Sequence, residues 1–305
     1  MAWQRYAVLT GKSTLRVARI DTPSAFSICH GKDGCHARKM RANFIVPLLF
    51  LATSTQASQI EVDVELALMV DVSRSMAPAE LEIQRRGYAE AIGSEQFIRV
   101  IEQSFTGQIA LTYVEWAGDG LQRVVVPWTL VDSAEAAERI AESLTLHFDA
   151  GLRRTSISGA IRFAEYEIEN NEFIGLRRVI DVSGDGPNND GRPVTMARDS
   201  AIEKGIIING LPLMTTDGPS RWGIDDLNVY YERCVIGGPG AFVLPVTDWA
   251  DFPMAVRRKL ILELVGSPEE FWPIAEGRTG ATDDGYDCLI GEKIRRERDL
   301  IYGTP

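Results

Sequence analysis

Residues 64–75 read Val-Glu-Leu-Ala-Leu-Met-Val-Asp-Val-Ser-Arg-Ser, an apolar run that stops at Asp71 and passes into a loop of short oxygen-bearing side chains. Val64–Val70, with Glu65 its only charge, suits a strand covered on both faces, as in the parallel sheet of an α/β domain. A helix is expected next. Pro78 fits a first helical turn, and Glu80–Gln103 carries Leu81, Ile83, Tyr88, Ile92, Phe97, Val100 and Ile101 at mostly helical spacing, weakened at Gly87 and Gly93.

Outward from that unit the chain keeps alternating. Gln108–Trp116 and Leu121–Trp128 flank a Gly118-Asp119-Gly120 turn and read as a hairpin. Helices are expected at Ser133–Leu144, Ser156–Asn170, Val194–Lys204, Ile224–Cys234 and Trp249–Val265, and strands at Arg178–Val182, Ile206–Leu211 and Ala241–Val246. Strand–helix alternation requires crossover connections. The expected fold is therefore α/β and doubly wound: a mostly parallel central sheet of about six strands, one antiparallel through the hairpin, with helices on both faces. The sequence contains no internal repeat, and from Ser267 to Pro305 the pattern fades into a segment read as a loosely attached tail.

At 305 residues, 45% hydrophobic and 25% charged, the composition is that of a folded soluble protein. Eight of the 32 Lys+Arg and two of the 43 Asp+Glu precede Ser58, which leaves 24 basic against 41 acidic residues, a formal −17, for the rest. Such a body repels phosphate backbones and anionic lipid, so neither nucleic acid nor direct membrane binding is expected. The first 57 residues read as an N-terminal extension followed by a secretory signal: basic Arg41, the apolar run Phe44–Ala52, then a small polar stretch ending at Ala57. Translation from Met40 and a genuine extension from Met1 are both compatible with this reading. The domain then occupies 58–266, in the periplasm or secreted. Cleavage after Ala57 would leave Cys234 and Cys288, either bridged or as two free thiols. Zinc spacings are absent from the chain.

In open α/β sheets, ligands sit beyond the carboxyl ends of the strands. Three oxygen-rich loops fall there: Asp71-Val72-Ser73-Arg74-Ser75, Arg154-Thr155-Ser156, and Ser183-Gly184-Asp185-Gly186. Asp71, Ser73, Ser75, Thr155 and Asp185 offer two carboxylates and three hydroxyls, a set that suits a hard cation, Mg²⁺ or else Mn²⁺ or Ca²⁺, with a position left open. Each element alone has a plainer reading as a helix cap or a turn. An EF-hand loop beginning at Asp181 fails at its twelfth position, Arg192. Gly237-Gly238-Pro239-Gly240 lacks the ending of a phosphate loop, and no Gly-x-Ser-x-Gly elbow accompanies His147, the sole histidine after residue 36.

The order D-x-S-x-S, then Thr155, then Asp185 before Gly186, resembles the metal-ion-dependent adhesion site of von Willebrand factor A domains over roughly Glu61–Gly266. The stretches VSGDGPNN (Val182–Asn189) and CVIGGPGAF (Cys234–Phe242) resemble a bacterial, DUF1194-like subgroup. The resemblance implies that Ser73, Ser75 and Thr155 coordinate the metal directly or through water, that Asp71 and Asp185 ligate or support it, and that a carboxylate of a partner protein completes the shell. It implies a binding module and not an enzyme, with no catalytic residues. Two other readings remain: a structural subunit of an envelope assembly with a vestigial metal site, and metal-assisted hydrolysis. Two departures stand out, Arg74 where a small residue is usual and Gly184 where Ser or Thr commonly precedes the Asp.

Overall fold

The computed structural model describes residues 59–145, 152–215, 223–266 and 285–303. The extension, the start at Met40, the export signal and His147 lie outside the described residues. Five strands form one sheet: β1 (Ile60–Asp71), β2 (Ile109–Trp116), β3 (Gln122–Val131), β4 (Phe173–Gly184) and β5 (Ile206–Pro212), in the order β3-β2-β1-β4-β5. β1 pairs in parallel with both β2 and β4, β4 in parallel with β5, and β2 with β3 as the antiparallel hairpin. Gly120, at φ +75°, supplies the left-handed residue of that turn.

β1 alternates as a doubly covered strand must. Leu66, Leu68 and Val70 enter one core with Tyr88, Phe97, Phe252 and Leu260, while Ala67 and Met69 enter the opposite one with Ile161, Val182, Ala197 and Tyr231. The first core is roofed by α1 (Pro78–Ile92), α2 (Glu95–Glu102), α3 (Ala134–Thr145) and α7 (Phe252–Val265), and the second by α4 (Ile157–Glu169), α5 (Val194–Glu203) and α6 (Leu227–Tyr230). Helices on both faces and a mostly parallel sheet are the doubly wound arrangement expected from the sequence.

The strand count is five, not about six. Ala241–Val246 does lie beside β5, with Gly210 N donating to Phe242 O, Leu244 N to Gly210 O, Val246 N to Pro212 O and Met214 N to Val246 O. The rung missing from this ladder is the one from residue 212 to Leu244 O. Pro212 has no N–H, so the sixth strand breaks into two isolated bridges, at Val243 and Val246. The long helix expected over Glu80–Gln103 divides at Gly93-Ser94, where Ser94 caps α2 by accepting from Phe97 N at 3.3 Å. The helix expected at Ile224–Cys234 is a single turn, α6, followed by a π-turn at Tyr231–Val235 in which Ile236 N donates to Tyr231 O.

Beyond residue 285 the chain is helical again, in α8 (Ile290–Tyr302). Cys288 is disulfide-bonded to Cys234, with Cα atoms 5.5 Å apart. Among the described residues no helix is long and apolar enough to cross a membrane.

Candidate metal centre

β1 and β4 are parallel neighbours in a register that pairs Val70 with Ser183, so Asp71 at the end of one strand faces Gly184 at the end of the other. The chain enters β2 on one side of β1 and returns to β4 on the other, which makes this end of β1 a topological switch point. Asp71 is fully buried. Its Oδ1 accepts from Ser73 N at 2.7 Å, and its main-chain oxygen accepts from Gln84 Nε2 of α1 at 2.9 Å. Ser73 Oγ and Ser75 Oγ lie 2.9 Å apart, and Ser75 Oγ donates to Asp185 Oδ1 at 2.8 Å. Four of the five sequence-predicted residues thus form one hydrogen-bonded chain.

Thr155 reaches the same edge by its backbone. Leu152 bridges to Ser73, and Arg74 N donates to Leu152 O at 2.8 Å. Ser156 N donates to Ala117 O just past β2, and Ser156 Oγ caps α4 by accepting from Gly159 N at 3.1 Å. No side-chain hydrogen bond joins the Thr155 hydroxyl to the other four among the described residues.

A buried carboxylate, Asp71, beside a half-buried one, Asp185, with no charged partner for either, is electrostatically costly. Burial first, and then the negative charge of Asp185, pushes the Asp71 carboxyl well above the usual carboxylate range. Burial likewise lifts Asp185 to about 6, only partly offset by the hydrogen bond from Ser75. Asp71 Oδ2 is buried and makes no hydrogen bond within the protein. A divalent cation would reverse both effects, so the residues present fit the group expected. Among the described residues there is no cluster of three or more His, Cys, Asp or Glu, so hydroxyls must contribute to holding any such ion.

Both departures from the adhesion-site pattern have a local explanation. Arg74 is exposed and does not crowd the edge. A Cβ on Gly184 would sit 3.0 Å from both Asp71 Oδ2 and the Tyr231 hydroxyl, so glycine makes room for Tyr231 to approach the carboxylate. Sequence reasoning missed Tyr231 and Gln84, along with Asn188, Asn189 and Asp190, which hold the Thr155 loop. For Asn188 and Asn189 the only signal was the VSGDGPNN stretch, which gave no roles, and for Gln84, Asp190 and Tyr231 there was none.

A family model described as "Protein of unknown function (DUF1194)" matches residues 61–268. The chain belongs to that family. Nothing among curated proteins matches significantly. Among solved structures, proximal thread matrix protein 1 of the mussel byssus is 11% identical over 68% of this chain and 49% of that one, with a TM-score of 0.50. The pilus adhesin SpaC of Lactobacillus rhamnosus GG is 10% identical over 68% and 31%, also at 0.50. A von Willebrand factor type A protein from Catenulispora acidiphila is 14% identical over 67% and 43%, at 0.46. This chain spans about half the first structure's length and about a third of the second's. At these identities the likeness shows the fold alone, the doubly wound α/β arrangement that the first two structures share with this DUF1194 chain.

Proposed function

We propose that this DUF1194 protein is an exported protein-binding module. It holds a divalent cation, Mg²⁺ or else Mn²⁺ or Ca²⁺, among Asp71, Ser73, Ser75, Thr155 and Asp185, and engages a carboxylate of a partner protein there. The observation that carries this reading is the pairing of two carboxylates, Asp71 and Asp185, through Ser73 and Ser75, with Asp71 Oδ2 buried and unbonded. The cation would supply electrophilicity toward an anionic ligand, since three of its five protein groups are neutral. Around it the chain's own residues do the positioning: Gln84 fixes the Asp71 backbone, Ser75 orients Asp185, and Asn189 holds Thr155. Exposed Arg74, Arg153 and Arg154 flank the edge in an otherwise acidic domain, which favours an acidic stretch of the partner. Export is supported by the Cys234–Cys288 bond, which suits an oxidising compartment.

Calorimetric titration with Mg²⁺ and Mn²⁺ tests the reading. Wild type should bind one ion, and Asp71→Asn, which keeps the oxygen that accepts from Ser73 N, should bind none while retaining its circular dichroism. Wild type that binds neither ion, or a variant that binds as well, would leave the scaffold reading in its place.

A further inference from the structure

The Thr155 arm is the part of the site least able to hold itself. Arg154, directly before Thr155, sits at φ +75°, a left-handed conformation that a residue with a side chain adopts only when held. What holds it is the neighbouring loop. Asn189 Oδ1 accepts from Thr155 N at 3.0 Å, and Thr155 O accepts from Asn189 N at 2.8 Å and Asp190 N at 3.2 Å. Asp190 also accepts from Asp119 N at 2.9 Å and meets Arg154 at 3.3 Å.

That loop is irregular, and much of its support comes from the far end of the chain. Arg295 Nη1 donates to Asn189 O at 2.9 Å and to Asp190 Oδ1 at 2.6 Å. Glu292 Oε1 accepts from Asn188 Nδ2 at 2.7 Å. Gly291 lies so close that a Cβ there would collide with the Asn188 carbonyl. On the other side, Asn188 N donates to the Tyr230 hydroxyl at 3.1 Å, and Tyr230 precedes the π-turn whose Cys234 is bonded to Cys288. A closed circuit results: the disulfide pins α8, α8 pins residues 188–190, and these pin Thr155.

We propose that α8 is a brace for the Thr155 arm of the metal centre, with Arg295 as its positioning residue. This rests on the metal reading above. Arg295 is suited to the task because one nitrogen bonds both a carbonyl and a carboxylate of consecutive residues, and its charge helps hold the Asp190 carboxyl below its ordinary range. The C-terminal segment is thereby part of the site's supporting structure.

Two measurements on the disulfide-bonded protein test it, comparing wild type, Arg295→Ala, Arg295→Lys and, as a control on the same helix, exposed Glu297→Ala. By calorimetry, Arg295→Ala should weaken Mn²⁺ affinity by about tenfold or more, as loss of a ligand-orienting partner does. Arg295→Lys should recover part of that and Glu297→Ala should lose none. By amide exchange on the metal-free protein, Arg295→Ala should speed exchange at Thr155 and Asn189 and leave Leu68 and Met69 in β1 unchanged. A folded Arg295→Ala with wild-type affinity and wild-type exchange at Thr155 overturns the brace. Should Arg295→Ala not fold, Arg295→Lys is read against wild type, with unchanged affinity and exchange overturning the proposal. Wild type that binds no Mn²⁺ overturns the metal reading instead, and the exchange arm still decides the brace.

Discussion

Two pairs of carboxylates meet at the central sheet, all of them buried except the half-buried Asp185, and the protein treats them in opposite ways. In the first core, Asp181 of β4 and Glu263 of α7 share the ammonium of Lys259, at 2.9 and 2.5 Å, with all three side chains at most 1% exposed. Asn209 Nδ2 donates to Glu263 Oε2 at 2.5 Å, and the Lys259 ammonium lies over the Phe242 ring. Burial alone would pull Lys259 down, but the summed attraction of Asp181 and Glu263 raises it, so it stays charged. At the strand end, Asp71 is given the Ser73 amide and Asp185 the Ser75 hydroxyl, and neither is given an ammonium. Where the chain supplies its own cation the cluster ties α7 to the sheet, and where it supplies neutral oxygens it leaves charge for something else to balance.

Removing the internal cation tests the contrast most severely. Lys259→Met leaves two carboxylates buried without their ammonium and should cost about 3–5 kcal/mol of stability, read from denaturant unfolding. A loss below about 1 kcal/mol would mean that this cluster, too, tolerates missing charge.

The second test narrows the metal edge. Gly184→Ala would put a Cβ 3.0 Å from Asp71 Oδ2 and the Tyr231 hydroxyl, and should cost about 1–3 kcal/mol through overpacking. Combining it with Tyr231→Phe should recover part of that loss in the same unfolding assay, and no recovery would show that Tyr231 is not the obstacle.

A smaller effect follows from protonation. In the metal-free protein burial holds Asp181 and Asp185 at about 6, against 3.8 for an ordinary aspartate. Between those values the folded form carries more protons than the unfolded chain, so their contribution to stability declines as pH rises through about 6. Thermal unfolding without metal should therefore occur at a higher temperature near pH 5 than near pH 7.5. Saturating Mn²⁺ at the higher pH should stabilise the protein by linkage, because Asp185 then meets a cation. A metal-free protein that gains stability over the same rise would contradict the assigned shifts. The least change is expected at the exposed neighbour: Arg74→Ala should alter stability by no more than about 0.5 kcal/mol and leave Mn²⁺ affinity as it is, by unfolding and calorimetry.

The doubly wound plan was legible because it rests on local pattern. VELALMV runs up to Asp71, and each further parallel strand carries a short apolar run whose end marks the same side of the sheet. Even the contact between Ser75 and Asp185, 110 residues apart, follows once the two strand ends are set side by side. The sixth strand failed for a reason visible only in the ladder: Pro212 removes the one N–H that would have bonded Leu244 O. The short helix after Asp226 failed because its second turn opens into a π-turn, a change of hydrogen-bond partner with no compositional mark.

By itself, then, the sequence determined the alternation of buried strands and helices and the gathering of Asp71, Ser73, Ser75 and Asp185 at one edge, because apolar period and strand direction are properties of short segments. Tertiary structure alone decided that Tyr231 lies against Asp71, that Lys259 neutralises Asp181, and that Arg295 reaches Asp190 across 105 residues. Those pairings depend on which face each helix covers and how far along it sits, and no periodicity in the chain encodes that offset.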